Sequence, residues 1–280
     1  MTGAFLAIGA AAVAAIVTRW VAAGAIPRSV LLRPNYRGIP IPTGLGISLL
    51  VGTAGAWAFV GFVHGIAPSS PRASIAMISF WPLVILGFGF GLLGLFDDLS
   101  AQQERGWRSH LPALMRGTIT PGTLKLAGGA IIAFAIASGG ASSLGWAVAD
   151  GALIALTANL FNSLDVRPGR AEKAFIAGAV PIAILVPVVQ TPLSAVLGAT
   201  AAFIFVDLHE RAMLGDAGSN ALGAILGGAI LAADPSSWLR LALLVLLVAL
   251  TAVAEGPTLS AWIDRIGPLR TLDRAGRTPA

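Results

Sequence analysis

The chain has 280 residues, 56% of them hydrophobic and only 11% charged, with a net charge of +5 and a mean hydropathy of +0.84. A soluble globular domain carries about one quarter charged residues, so that class is excluded. The absence of cysteine excludes disulfides and thiolate metal sites as well.

The apolar residues gather into runs of about 20, the length that crosses a bilayer core. In chain order the predicted spans are Gly3–Ile26, Thr43–Val63, Ile75–Phe96, Thr123–Gly140, Ser143–Leu164, Ala174–Val189, Leu193–Leu208, Ala217–Ala233 and Trp238–Ala254. The sixth and seventh are shorter and interrupted by Pro181, Pro187 and Pro192. The first run starts almost at Met1 and lacks a basic leading segment, so it reads as a retained span rather than a signal peptide. The expected fold is therefore all-α: a polytopic membrane bundle of about nine transmembrane helices over residues 1–256, followed by a basic tail, residues 257–280. Abundant Gly and Ala suit close helix approach in lipid.

Nine spans sort the 18 Lys and Arg residues sharply: all but Arg72 and Arg240 fall at one side. Basic residues mark the cytoplasmic side, which puts the N-terminus outside and the tail in the cytoplasm. The positive charge is thus no nucleic-acid signature; basic loops at that face set topology and touch anionic lipid.

With this topology the acidic residues collect at one interface. Asp97 and Asp98 end the third span, Asn159, Asn162 and Asp165 end the fifth, Asp207, His209 and Glu210 follow the seventh, and Asp216 opens the eighth. Ionisable groups at the edge of a span are costly and mark function. Carboxylates converging from three helices repel one another and call for a cation. Oxygen ligands without Cys suit Mg²⁺, with Mn²⁺ as the alternative. The C-terminal end of the third helix adds negative potential at Asp97 and Asp98. Asn159 and Asn162 share a helical face, as ligands or as helix-to-helix glue. "GDAGSN", with Gly218 and Ser219, reads either as a phosphate seat of exposed N–H groups or as an ordinary N-cap.

The stretches "NYRGIPIPTGLG", "GLFDDL", "NLFNSLD" and "LGDAGSNALG" resemble, in order and membrane position, the signatures of the polyprenyl-phosphate N-acetylhexosamine-1-phosphate transferases. The resemblance runs from about Asn35 to Gly228. It implies Mg²⁺-dependent transfer of a sugar-1-phosphate from a UDP-linked amino sugar to a polyprenyl phosphate such as undecaprenyl phosphate. UMP is released, at the cytoplasmic face of the plasma membrane, in cell-wall or surface-glycan synthesis. By motif, Asp97 and Asp98 match the catalytic acidic pair and Asp216 the metal-holding aspartate. Asn159, Asn162 and Asp165 match the nucleotide-sugar side, and Asn35, Arg37 and Thr43 the first loop at the site rim. Arg105, Arg108, Arg116 and Lys125 are candidates for recruiting the lipid phosphate, or are solvated loop charges. The implied partners are the lipid phosphate, the UDP-sugar and the membrane, with a homodimer as a possible assembly and no nucleic-acid polymer.

The chain departs from the family pattern in two motifs. Where the family continues D-G-x-D-G-L, this chain reads "DVRPGR", from Asp165 to Arg170. Arg167 and Arg170 there can bind a pyrophosphate through forked hydrogen bonds, or serve as topology charges. In place of a His-rich late loop stands "RIGPLRTLDRAGR"; none of His64, His110 and His209 fits that loop. A second reading is a degenerate member that binds polyprenyl phosphate as a scaffold or regulator. A cation-coupled transporter is a weaker one, since it places charges near the bilayer midplane.

Overall fold

A computed structural model describes residues 3–29, 31–66, 71–100, 121–254 and 258–278. The fold is all-α. Among the described residues nine longer helices follow one another: α1 Gly3–Ala25, α2 Ile47–Ile66, α3 Pro71–Leu99, α4 Pro121–Ser138, α5 Leu144–Leu164, α6 Arg170–Leu185, α7 Pro187–Leu208, α8 Gly215–Ala232 and α9 Ser237–Ala254. They overlap the nine apolar segments of the sequence. Six of the described regions, in α1, α2, α3, α5, α7 and α9, are long and apolar enough to cross a membrane. Before α2, two short strands, β1 Leu32–Pro34 and β2 Pro40–Pro42, pair antiparallel with Arg33 opposite Ile41.

Two boundaries differ from the sequence reading. The break between the sixth and seventh segments falls at Val186, so Pro187 starts α7 instead of interrupting a helix. Pro suits the first helical position because its missing N–H has no partner there anyway. The residue before a Pro is pushed out of the helical region, and Val186 is extended (φ −117°, ψ 90°). At the other boundary, α8 begins at Gly215, which brings Asp216 into its first turn.

The core forms around α8, whose residues are buried along nearly its whole length. It packs against α3, α5 and α6, while α1 lies against α2 and α7. Glycine makes these approaches possible. A Cβ on Gly94 of α3 would stand 2.1 Å from the Asp216 carbonyl oxygen, and one on Gly198 of α7 2.1 Å from that of Ala11. Three buried hydroxyls are satisfied within their own helices: Thr53, Thr157 and Thr200 donate to the carbonyls of Leu49, Leu153 and Val196, the i−4 pattern available to Thr. Where α5 and α9 begin, Arg240 pairs with Asp150 at 2.9 Å.

The tail forms α10 Thr258–Arg265 and α11 Gly267–Arg274 and is docked rather than loose. Arg170, at the start of α6, holds Asp273 through two bonds of 2.8 and 3.1 Å and donates to Ser260 at 2.9 Å. Arg277 reaches the same carboxylate, and Lys173 donates to the carbonyls of Leu272, Asp273 and Ala275. Arg170 and Asp273 are nearly excluded from solvent (6% and 5%). Removing one partner of such a pair leaves a buried charge and costs about 3 kcal/mol. Arg170→Ala is therefore expected to release the tail, seen as fast hydrogen exchange over residues 267–274. Burial opposes charge on Asp273, but Arg170 and Arg277 outweigh it and hold the carboxyl below its ordinary range. A depressed acid contributes stability above its unfolded-state value and loses it as pH falls through the folded one. Docking should thus persist at neutral pH and fail only in strong acid.

Candidate functional site

One end of the bundle gathers the C-terminal ends of α3, α5 and α7 and the starts of α4, α6 and α8. Asp97 and Asp98 close α3, where the apolar surface facing α8 ends. Gly94, one turn earlier, lets α3 touch the first turn of α8. In consequence the Asp98 carboxylate accepts from the backbone N–H groups of Asp216 (3.1 Å) and Ala217 (3.0 Å). It caps α8 from a neighbouring helix, where the N-cap residue Leu214 offers no side-chain bond, and its charge complements the positive end of the helix dipole. Gly44 (φ +71°) and Gly215 (φ +73°) leave room for this carboxylate: a Cβ on Gly44 would lie 3.3 Å, and one on Gly215 2.8 Å, from Asp98 Oδ2. Arg33 caps the other partner, donating to the carbonyls of Asp98 and Ser100 at 3.0 and 2.8 Å.

Of the two readings of "GDAGSN", the first amides are capped rather than open to a phosphate, because Asp98 occupies those of Asp216 and Ala217. Besides the negative end of its own helix, the Asp98 carboxylate faces the N-terminus of α8, which stabilises it.

Lys125, near the start of α4, joins the two remaining aspartates. Its ammonium group contacts Asp216 Oδ2 and lies 3.4 Å from Asp97 Oδ2. Asn162, with its amide nitrogen toward the carboxylate, donates to Asp216 Oδ1 at 2.8 Å and to Ser219 Oγ at 3.1 Å, and accepts from Lys125 Nζ at 3.1 Å. Ser219 also donates to the Gly215 carbonyl at 3.0 Å, and Asn220 to that of Asp216 at 2.6 Å. Asp97 and Asp216 remain about one third solvent-accessible (31% and 27%), so the cluster opens outward.

Beside it lies a second acidic group. Asp207, at the end of α7, accepts from the Gly169 N–H at 2.5 Å. Glu172 is fully buried. Burial first, then the like charges of Asp207 and Glu172, pushes the Asp165 carboxyl well above its ordinary range.

The other predicted residues fall around this centre. Asn35 holds its own loop, accepting from the N–H groups of Arg37 and Ile39 at 2.9 and 3.0 Å while donating to Glu210 at 2.7 Å. Arg37 pairs with Glu210 at 3.0 Å and donates to the Thr278 carbonyl at 2.9 Å. The Arg167 guanidinium lies 4.7 Å from the Tyr36 ring centre. These form a rim of alternating charge. Thr43 is buried next to Gly44. Gly218 serves close packing, since a Cβ there would lie 2.9 Å from Gly46 Cα. Asn159 is exposed one turn before Asn162 and joins none of these bonds. The guanidinium of Arg170 is committed to the tail and does not join the acidic centre. Arg105, Arg108, Arg116 and His110 lie outside the described residues.

Sequence offers Lys125 as a recruiter of the lipid phosphate or as a solvated loop charge, yet it sits between two candidate acids. The signal was present: it is the one charged residue in α4, and isolated charges in apolar segments mark function.

Among the described residues, no three acidic or histidine side chains form a ready-made metal cage. The donor chemistry nevertheless fits a hard divalent ion: Asp97 and Asp216 carboxylates with the Asn162 amide oxygen nearby. The Lys125 ammonium between the two carboxylates shows that the locus accommodates positive charge. Comparison with protein-family models gives no match, and neither does comparison with curated proteins.

Proposed function

We propose that the chain transfers a sugar-1-phosphate from a UDP-linked amino sugar to a polyprenyl phosphate and releases UMP, as a nine-span plasma-membrane enzyme. The observation that carries this reading is the meeting of Asp97, Asp98, Asp216, Asn162 and Ser219. They come from three separate segments and converge at one end of an apolar bundle. The asymmetry of Lys and Arg in the sequence supports a cytoplasmic position for that end.

Transfer between two phosphate anions needs neutralisation and in-line placement more than covalent help. In this reading Asp97 and Asp216 would hold Mg²⁺, which would neutralise charge on the donor diphosphate. Asp98 acts as a positioning residue that fixes α8 and so aims Asp216. Lys125 holds the two carboxylates together and presents a positive charge to the phosphates, and Asn162 orients Asp216. Arg37 and Arg167 at the rim offer positive charge to a nucleotide-sugar.

The test is to incubate purified protein with undecaprenyl phosphate, Mg²⁺ and a panel of UDP-amino sugars and measure UMP. Release that depends on lipid, metal and one donor is the expected result. Lipid binding without UMP from any donor would instead mean a polyprenyl-phosphate scaffold. One observation favours that second reading: Lys125 already supplies a cation between Asp97 and Asp216. Lys125→Met separates the two. A catalytic centre should lose at least ~100-fold in UMP release, as when a preorganised donor to developing charge is removed; a scaffold should keep its lipid affinity within a few fold.

A further inference from the structure

A second feature lies away from Asp97, Asp98 and Asp216, on the outer face of α1 and α7. There Arg19, Phe205, Val206, His209 and Arg211 line a cavity of about 250 Å³. Arg33, Arg37, Arg170 and Arg240 are each held by carbonyls or carboxylates. Among the described residues, the side chains of Arg19 and Arg211 have no hydrogen bond and no ion pair, and both are exposed. His209 Nδ1 bonds the Phe205 carbonyl at 2.7 Å and so must carry its proton. Its other nitrogen makes no hydrogen bond among the described residues.

The flanks are apolar in a definite order. Ile16 precedes Arg19 by three residues and Phe205 precedes His209 by four, so each pair shares a helical face. Ile16 and Phe205 are 69% and 57% exposed, and Trp20 is 77% exposed. Both helices therefore show an apolar side chain toward the bundle middle and a cationic or ionisable one toward its end. That is the layering of a lipid, with acyl chain beside apolar residues and phosphate beside Arg. Trp at such a boundary is typical of the headgroup level. The cavity is also smaller than the about 300–1,000 Å³ usual for drug-sized ligands.

We propose that this cavity binds the phosphodiester headgroup of an anionic glycerophospholipid. Arg19 and Arg211 hold the phosphate, and Ile16 and Phe205 lie along the first part of an acyl chain. The site is distinct from the Asp97–Asp216 centre: α1 packs on α2 and α7, whereas those carboxylates lie on α3 and α8; of the nearer acids, Asp207 is bonded to the Gly169 N–H and Glu210 to Asn35 and Arg37.

Native mass spectrometry of the purified full chain tests this. Phosphatidylglycerol, phosphatidylcholine, undecaprenyl phosphate and inorganic phosphate are the probes. Phosphatidylglycerol should be retained at least ~10-fold more tightly than phosphatidylcholine, and excess inorganic phosphate should not displace it. R19Q/R211Q should weaken its retention about 30-fold. R265Q/R270Q, which removes the same charge from the tail, should leave it unchanged. Equal weakening in both double variants means general surface charge and overturns the site. So does absence of a headgroup preference, displacement by free phosphate, or a preference for the phosphomonoester of undecaprenyl phosphate. If R19Q/R211Q does not fold, the headgroup comparison on the unaltered protein decides alone.

Discussion

Asp216→Asn is expected to lower UMP release at least ~100-fold while leaving the fold nearly as stable as before. The first half follows from where its oxygens point. One contacts Lys125, and the other receives the Asn162 amide. An amide there removes a negative charge and sets its NH2 against one of two donors, the Lys125 ammonium or the Asn162 amide, so the arrangement offered to a divalent ion is broken. Losses of two orders of magnitude or more are usual when a preorganised group for developing charge is removed. The second half follows from exposure. The carboxylate is not sealed in the core, and the backbone N–H of Asp216 is capped by Asp98, not by its own side chain. Unfolding temperature should move by no more than a few degrees. Asp98→Asn should behave differently. It weakens a cap on two amides and removes a charge from a helix N-terminus, together worth about 1–2 kcal/mol. Its loss of activity must therefore be read beside its unfolding temperature. Equal UMP release from Asp216→Asn and the unaltered protein removes Asp216 from the chemistry.

Gly94→Ala is the most damaging single-methyl change expected near the site. The new Cβ would meet the Asp216 carbonyl oxygen at 2.1 Å and the Ala217 nitrogen at 2.7 Å. Both are backbone atoms of a helix packed on several sides, so neither can turn away. α3 must move off α8, at about 1–3 kcal/mol for an overpacked core, and the movement pulls Asp98 from the two amides it caps. Stability and UMP release should fall together. Gly61→Ala on α2 is the control: its Cβ meets nothing within 4 Å, and the change should be neutral or slightly stabilising, because Ala favours helix. Thermal unfolding in detergent distinguishes the two.

Composition and run length made a bundle of apolar helices legible, because an apolar run of about 20 residues satisfies its backbone groups in lipid as a helix. The gathering of Asp97, Asp98, Asn162 and Asp216 was legible too, once the basic residues ordered the segments by side. What each group touches was not. Asp98 binds amides 118 residues away, and Arg170 an aspartate 103 residues away. No local period reports such pairs. Abundant glycine signals close helix approach in general, but nothing local singles out Gly94 as the one packed on a helix terminus. Lys125 was visible as a lone charge, but its position between Asp97 and Asp216 depends on how α4 packs against α3. Pro187 misled in the other direction: it suggested an interruption where it begins a helix.

The most direct test of the central claim is Mn²⁺ binding followed by electron paramagnetic resonance, with Mn²⁺ as the probe for the divalent site. One tightly held ion per chain is expected, displaced by Mg²⁺ and lost in Asp216→Asn. Equal Mn²⁺ binding by the unaltered protein and Asp216→Asn, or no bound ion in a preparation that releases UMP, would contradict it.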